Sequence, residues 1–431
     1  MTARSRRALA LACAALALGA AGPPLAAAQG LTLERAVALA VERDERARVA
    51  DQELAAAEAQ VGRARAFFFP DITASGSYRF RRDPGMFQDR NVLSGSLALN
   101  MALFDGRGIP LLRAARLERD ASELDRLEVR RRLAIDAASA YLATLGTQAV
   151  VEAARNRVEF ARQNLEDVRG RVAAQLVSSN DATRAQLELS TAQRELRGAE
   201  GDLAAARLHL GWLIGAEIDG PLAEPDALLA AAAGDRGAPA GRAADARLDL
   251  RAARTRVASA YEVAEEPLWR WLPSVSLVAQ VDATSVASFT GKQTDWFVGL
   301  NALWTLWDGG AREADRAERL AHARAASLTA DRQEREVGLE EATARSALAT
   351  AQATSAEAEA AVAAARKNVE EARILYQQGL ARALEVADAS ARLFEAEVAL
   401  ARERYGLGLA LIELRAARGL GPLGDAPGSE R

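Results

Sequence analysis

The chain changes its hydrophobic period in a fixed order, and it does so twice. Residues 31 to 66 set Ala, Val and Leu among Glu and Arg at helical spacing, with Thr32 three residues before Arg35 as a cap, which predicts a helix. After Pro70 the period drops from about 3.6 to 2. Ile72, Ala74, Gly76, Tyr78 and Phe80 alternate with Thr73, Ser75, Ser77, Arg79 and Arg81, and the partner run sets Leu93, Gly95, Leu97, Leu99, Met101 and Leu103 against Ser94, Ser96, Ala98 and Asn100. This predicts strands over about 71–82 and 92–103. From Pro110 to Pro221 there is no proline, and Ala, Leu, Glu, Arg and Gln, the strong helix formers, dominate. A second pass gives strands over about 274–284 and 295–306, with Val275, Leu277, Ala279 and Val281 opposed to Ser274, Ser276, Gln280 and Asp282, and then no proline from Pro273 to Pro422.

The helical stretches over about 110–174 and 310–378 would each measure on the order of 100 Å at 1.5 Å per residue. No compact domain needs such a rod, and heptad-like spacing with alanine at many apolar positions predicts coiled-coil packing. Each rod breaks once, in tips over 175–180 and 379–384, and resumes to about 215 and 418. The returning helices are about half as long as the incoming ones, so they fold back and stop midway. The shorter helices near 31–66 and 246–268 fill the remaining length.

The two passes are copies. Pro70 matches Pro273, and Phe104-Asp105-Gly106 matches Trp307-Asp308-Gly309, at a shift of 203; Asn164, Glu166, Arg169, Leu176 and Gly215 match Asn368, Glu370, Arg373, Leu380 and Gly419 at a shift of 204. A shift this steady through strands, turns and helices marks an internal duplication. The predicted organisation is a first repeat over 29–215, a linker over 216–245 with one short helix, a second repeat over 246–418 and a disordered tail over 419–431.

Composition narrows the location. Arg4, Arg6 and Arg7, an apolar run from Ala8 to Ala21 and Ala26-Ala27-Ala28 follow the order of a secretory signal peptide, 1–28. Its removal takes the net charge from −4 to −7, because three arginines leave and no acid does. Cys13, the one cysteine, lies inside it without the lipid-anchor pattern, so the mature chain carries neither a disulfide framework nor a thiolate site. A mildly acidic chain does not carry the footprint of a nucleic-acid binder. No later window has 18 consecutive apolar residues, so any membrane insertion must use strands.

Catalytic chemistry finds no footing. His209 and His322, the two histidines, are not spaced with acids for a metal site, and there is no P-loop, dinucleotide fingerprint or nucleophile elbow. No cofactor is expected. Asp105-Gly106-Arg107 and Asp308-Gly309-Gly310 recur at each hairpin exit and read as turn and helix-start chemistry. Phe67, Phe68, Phe69 and Phe104 flank one end of the first hairpin and Trp269, Trp271 and Trp307 the same end of the second, as in an interfacial aromatic girdle.

Four strands cannot close a membrane barrel, whose smallest size is about eight, and an open edge in lipid leaves backbone groups unsatisfied. Several chains must share one barrel, and an oligomer with a barrel at one end and rods at the other is a duct. The chain resembles the TolC-type outer-membrane factor family over nearly all of its mature length: signal, two repeats, Phe69-Pro70 and Leu272-Pro273 before the hairpins, and tips followed by an acid.

The resemblance implies a mainly α fold with a membrane β-barrel part: a homotrimer whose twelve-stranded barrel continues into a periplasmic α-helical tunnel. It implies the exit duct of a tripartite efflux pump or type I secretion system, in outer-membrane lipid. Its partners would be a periplasmic adaptor (membrane fusion) protein and an inner-membrane pump of the RND or ABC type. It places adaptor docking at Leu176, Val177, Ser178, Gly379, Leu380 and Ala381, aperture acids at Glu385 and Asp388, and a gate latch between Tyr376 and Asp181. The family arginine two residues after Gly379 is Ala381 here, with Arg382 one place later. The rival expectation is a non-transporting periplasmic coiled-coil scaffold whose hairpins form a soluble sheet.

Overall fold

The structure is a computed structural model and describes residues 30–83, 89–235, 246–286 and 291–425. The expected signal segment lies outside them. The first repeat runs α1 (Leu33–Arg43), α2 (Glu45–Ala66), β1 (Asp71–Phe80), β2 (Asn91–Phe104), α3 (Gly108–Ala173) and α4 (Ser179–Ile214). A short α5 (Asp226–Gly234) follows, and the second repeat is α6 (Leu248–Trp269), β3 (Ser274–Thr284), β4 (Thr294–Leu303), α7 (Ala311–Gln377) and α8 (Ala383–Ala417).

The expected first helix is two. Thr32 caps α1 by accepting from the Arg35 amide at 3.3 Å, and Asp44 then interrupts it with extended backbone and caps α2, accepting from the Arg46 amide at 2.8 Å. A short acceptor side chain at that point competes with the helix for backbone donors. β4 also ends earlier than expected, because Trp304 leaves the ladder and its indole donates to the Trp271 carbonyl at 3.0 Å.

The long helices are coiled-coil rods. On α7 the positions Leu348, Ser355, Val362, Val369 and Tyr376 are all buried and fall every seventh residue; on α4 the same spacing buries Ala185, Ala192 and Ala199. A strict heptad seam winds helices into a left-handed supercoil, and alanine lets them approach closely. α3 pairs with α4 and α7 with α8, while α2 packs on α3 and α6 on both α3 and α7.

The main core lies midway along the rods, where α1, the ends of α4 and α8, and α5 meet α3 around Tyr141, Leu142, Leu210, Ile214, Leu411 and Ile412. The Tyr141 hydroxyl is shared between the carbonyls of Leu31 (2.5 Å) and Ala223 (2.6 Å), tying the start of the chain to the linker, and burial pushes its phenol up to about 12. The tail was expected to be disordered from Gly419, but residues 419–425 are held. Arg131 donates to the Leu420 carbonyl at 3.2 Å and Arg415 to that of Pro422 at 2.5 Å. Arginines capping the carbonyls beyond a helix end override the glycine-rich composition there.

Candidate functional site

The four strands form one antiparallel sheet in the order β1-β2-β3-β4. Their register joins the apolar faces of the two hairpins into one. Ala74 faces Leu97, Leu97 faces Val281 and Val281 faces Trp296, while Ile72 faces Leu99, Leu99 faces Ala279 and Ala279 faces Val298. Directly opposed residues share a face, so this side carries Ile, Leu, Val, Tyr and Trp across all four strands. Leu97, Val281, Trp296, Val298 and Leu300 are exposed on it. The other side is mainly polar, with Val278, Phe297 and Leu303 among its residues: Ser75 and Ser96 hydroxyls bond at 2.8 Å, as do Ser77 and Ser94, and the Ser75–Ser96 row continues through Asp282 to Asp295. β1 and β4 are both open edges.

At the helix end of the sheet, Phe69, Trp271, Trp304 and Trp307 are exposed, whereas Trp269 is turned inward. A Cβ on Gly106 would meet the Trp269 ring at 2.5 Å, and one on Gly108 would meet Phe67 and Phe68 at 2.5 and 2.6 Å. The hairpin thus passes into its rod through glycines pressed on aromatic rings. Asp105 accepts from the Arg107 amide (3.1 Å) and Asp308 from that of Arg312 (3.2 Å), the helix-start chemistry expected of the two Asp-Gly turns.

At the far end, the two tips are built alike. Leu176 and Gln175 donate backward to the carbonyls of Arg171 and Val172, both at 2.9 Å; Leu380 and Gly379 donate to those of Leu375 (2.9 Å) and Tyr376 (3.1 Å). Both pairs are Schellman closures, which put their penultimate residue in the left-handed region. Gly379 takes φ +75° at no steric cost, but Gln175 takes φ +57° with a full side chain. Leu176 and Leu380 stand out at the two ends, 73% and 74% exposed. Val177 and Ala381 are half-buried, and Ser178 caps α4 by accepting from the Asn180 amide at 3.2 Å.

Tyr376, last of the α7 seam, is buried among Leu165, Val168, Ala185 and Val386, where the tips pack together. Its hydroxyl has no hydrogen-bond partner among the described residues. Burial holds its phenol above the ordinary tyrosine range; the Arg171 charge works against this and the Asp181 charge adds to it. Tyr376 and Asp181, the expected latch pair, share no hydrogen bond among the described residues. The contact present is with Arg171, which sequence reasoning missed: its guanidinium lies 4.4 Å over the Tyr376 ring and donates to the Tyr376 carbonyl at 3.0 Å. A basic residue in the last turn of α3 was the available signal, but nothing local shows that it serves the neighbouring rod.

Glu385 and Asp388 are both exposed on the first turns of α8, and Asp388 pairs with Arg392 at 2.9 Å. Deeper in the rods, buried Arg157 bonds Glu188 at 2.7 Å, pairs with Glu195 and lies 4.9 Å over Phe394, joining α3, α4 and α8. Among the described residues no cluster of His, Cys, Asp or Glu is arranged to hold a metal, and no helix is long and apolar enough to cross a membrane.

One side of the sheet is thus largely apolar across all four strands, and the sheet is joined to rods that fold back at paired tips. The profile of the outer membrane efflux protein family matches residues 36–216 and 240–420, one match to each repeat. The chain belongs to this family. The chain is 30% identical over 311 residues to Protein CyaE of Bordetella pertussis, covering 67% of this chain and 63% of that relative's length. Its fold is that of VceC from Vibrio cholerae (TM-score 0.74, 20% identity, 90% of this chain and 96% of that one). It is similar as well to MtrE from Neisseria gonorrhoeae, solved in its open state (TM-score 0.76, 20% identity, 91% and 90%). As an outer membrane efflux protein it is seated in the outer membrane by its sheet, with its rods in the periplasm.

Proposed function

We propose that three copies close one twelve-stranded barrel and that the assembly is the passive exit duct of an export machine. The observation that carries this reading is the sheet: one side largely apolar across four strands, the other mainly polar with Ser, Thr, Asn, Gln, Asp and Arg, and both edges open. Such a sheet is satisfied in lipid only when its edges are closed, and its polar side then lines a wet lumen. In this reading energy comes from an inner-membrane pump of the RND or ABC type, joined through a periplasmic adaptor. The exposed Leu176 and Leu380, each fixed by a Schellman closure, are the apolar points on which that adaptor docks.

In the trimer the tips converge and set the aperture. Tyr376, with Arg171 above it and the Asp181 charge near enough to act on it, is the latch between the two coiled coils. Glu385 and Asp388 ring the opening and favour cations. Because Asp388 is shared with Arg392, Glu385 carries more of that preference.

Fractionation tests the reading against a soluble scaffold. The duct stays with outer membranes through salt and carbonate washes, while recovery in the wash favours the scaffold. For the aperture, Glu385→Gln with Asp388→Asn lowers cation preference in planar bilayers; unchanged selectivity removes the ring assignment.

A further inference from the structure

The seam between copies has a chemistry of its own. On the polar side of the sheet, Asp282 and Asp295 are directly opposed on β3 and β4, in the row Ser75, Ser96, Asp282, Asp295. Like charges facing each other on one side of a sheet are destabilising. Asp282 accepts from the Gln280 amide at 2.8 and 3.0 Å and Asp295 from the Trp296 backbone at 2.9 Å, and neither has a cation among the described residues. β4 is an open edge and Asp295 lies on it. On the other open edge, the polar side of β1 runs Asp71, Thr73, Ser75, Ser77, Arg79, with Arg81 next in line as its amide continues the ladder to the Arg90 carbonyl at 2.8 Å. Neither Arg79 nor Arg81 makes an ion pair within the described residues.

Barrel geometry says which part of the neighbouring β1 meets Asp295. Four strands span about 19 Å at the usual spacing, and a tilt of roughly 35–45° offsets the seam along the strand by about 13 to 19 Å, or about 4 to 6 residues. Starting from Ser75, which shares a row with Asp295, an offset toward the hairpin end reaches Arg79 to Arg81. An offset toward the helix end reaches Asp71 or runs off the strand. The first choice sets arginine against the acid pair; the second adds a third carboxylate to it. We propose that closure sets Asp295 of one copy against the Arg79–Arg81 edge of the next, an inter-protomer ion pair that fixes strand register and neutralises the acid pair. This rests on the shared-barrel reading.

Cysteine pairing tests it in the full-length protein in outer membranes, in a Cys13→Ser background that leaves no other thiol. Asp295→Cys is combined in turn with Arg79→Cys, Arg81→Cys and Asp71→Cys, then oxidised and run on denaturing gels. Disulfides need Cα atoms about 4.4–6.8 Å apart, so the expected result is covalent trimers, reversed by reductant, from the 79 or 81 pairing and none from the 71 pairing. Trimers from the 71 pairing alone, or from none of the three while the unsubstituted protein still forms trimers, overturn the seam assignment and leave the shared barrel standing. Absence of trimers from the unsubstituted protein overturns both. Charge reversal gives a second readout. Arg79→Asp lowers the temperature at which trimers dissociate in detergent, and added Asp295→Arg restores it; failure of the double variant to recover contradicts the pair.

Discussion

Replacing Arg171 by Gln separates two ways of holding the tips closed. The guanidinium makes a charged hydrogen bond to the Tyr376 carbonyl at 3.0 Å and lies 4.4 Å over its ring. A charged hydrogen bond contributes about 1.5–3 kcal/mol and an exposed cation–π contact about 0.5–1. Arg171 is half-buried, so about 2 kcal/mol per protomer is a reasonable sum after solvent screening. That corresponds to about a 30-fold shift in the closed-to-open ratio of each tip. Tyr376→Phe is the counterpart. The hydroxyl it removes is buried without a partner among the described residues, so its loss relieves a desolvation penalty of about 1–3 kcal/mol. Single-channel recording of trimers in planar bilayers reads both: Arg171→Gln raises open probability strongly and Tyr376→Phe does not. The reverse outcome, closed channels with Arg171→Gln and open ones with Tyr376→Phe, would show that the hydroxyl and Asp181 form the latch and the Arg171 argument is wrong.

Three further outcomes follow from local geometry. Gln175→Gly relieves a left-handed backbone cost of about 1–2 kcal/mol, partly offset by a more flexible unfolded chain. Protease nicking at that tip should therefore slow by about 2- to 5-fold, and faster nicking would contradict the strain. Gly106→Ala forces a methyl into the Trp269 ring and should destabilise by about 1–3 kcal/mol, seen as a lower trimer melting temperature; an unchanged melt refutes the close approach. Mid-rod, Arg247 bonds Asp249 at 2.6 Å, pairs with Glu340 and donates to the Ala417 carbonyl at 3.4 Å. Burial raises the Asp249 carboxyl, but the Arg247 contacts outweigh it and hold the group below its ordinary range. A carboxylate lowered on folding stabilises above its unfolded value of about 3.9 and loses that contribution as pH falls through the folded value. Stability should be flat from pH 7 to 5 and fall below about pH 4, with Asp249→Asn removing part of that acid loss; an equal acid limb in the variant rules the pair out.

Much of the fold was legible because period and length are physical constraints. The alternation after Pro70 and Pro273 gave strands whose faces coincide with the register of the folded sheet, and the duplication carried over to tips with the same hydrogen bonds at Gln175 and Gly379. Local composition misled where a distant side chain intervened. Residues 419–425 read as disordered from Gly and Pro, yet Arg131, some 290 residues earlier in sequence, holds the Leu420 carbonyl. Trp269 looked like its neighbour Trp271 but packs inward on Gly106. Arg171 was hidden for the same reason: its partner is on another rod, and at the shift of 204 its own repeat position holds Leu375.

Conductance through reconstituted protein tests the duct most directly. Purified trimers in a planar bilayer should give discrete channel steps, mostly closed and cation-preferring, with open probability raised by Arg171→Gln. Trimers that insert yet never conduct, even with the tips so loosened, or a protein that carbonate strips from the outer membrane as single chains, would contradict the account.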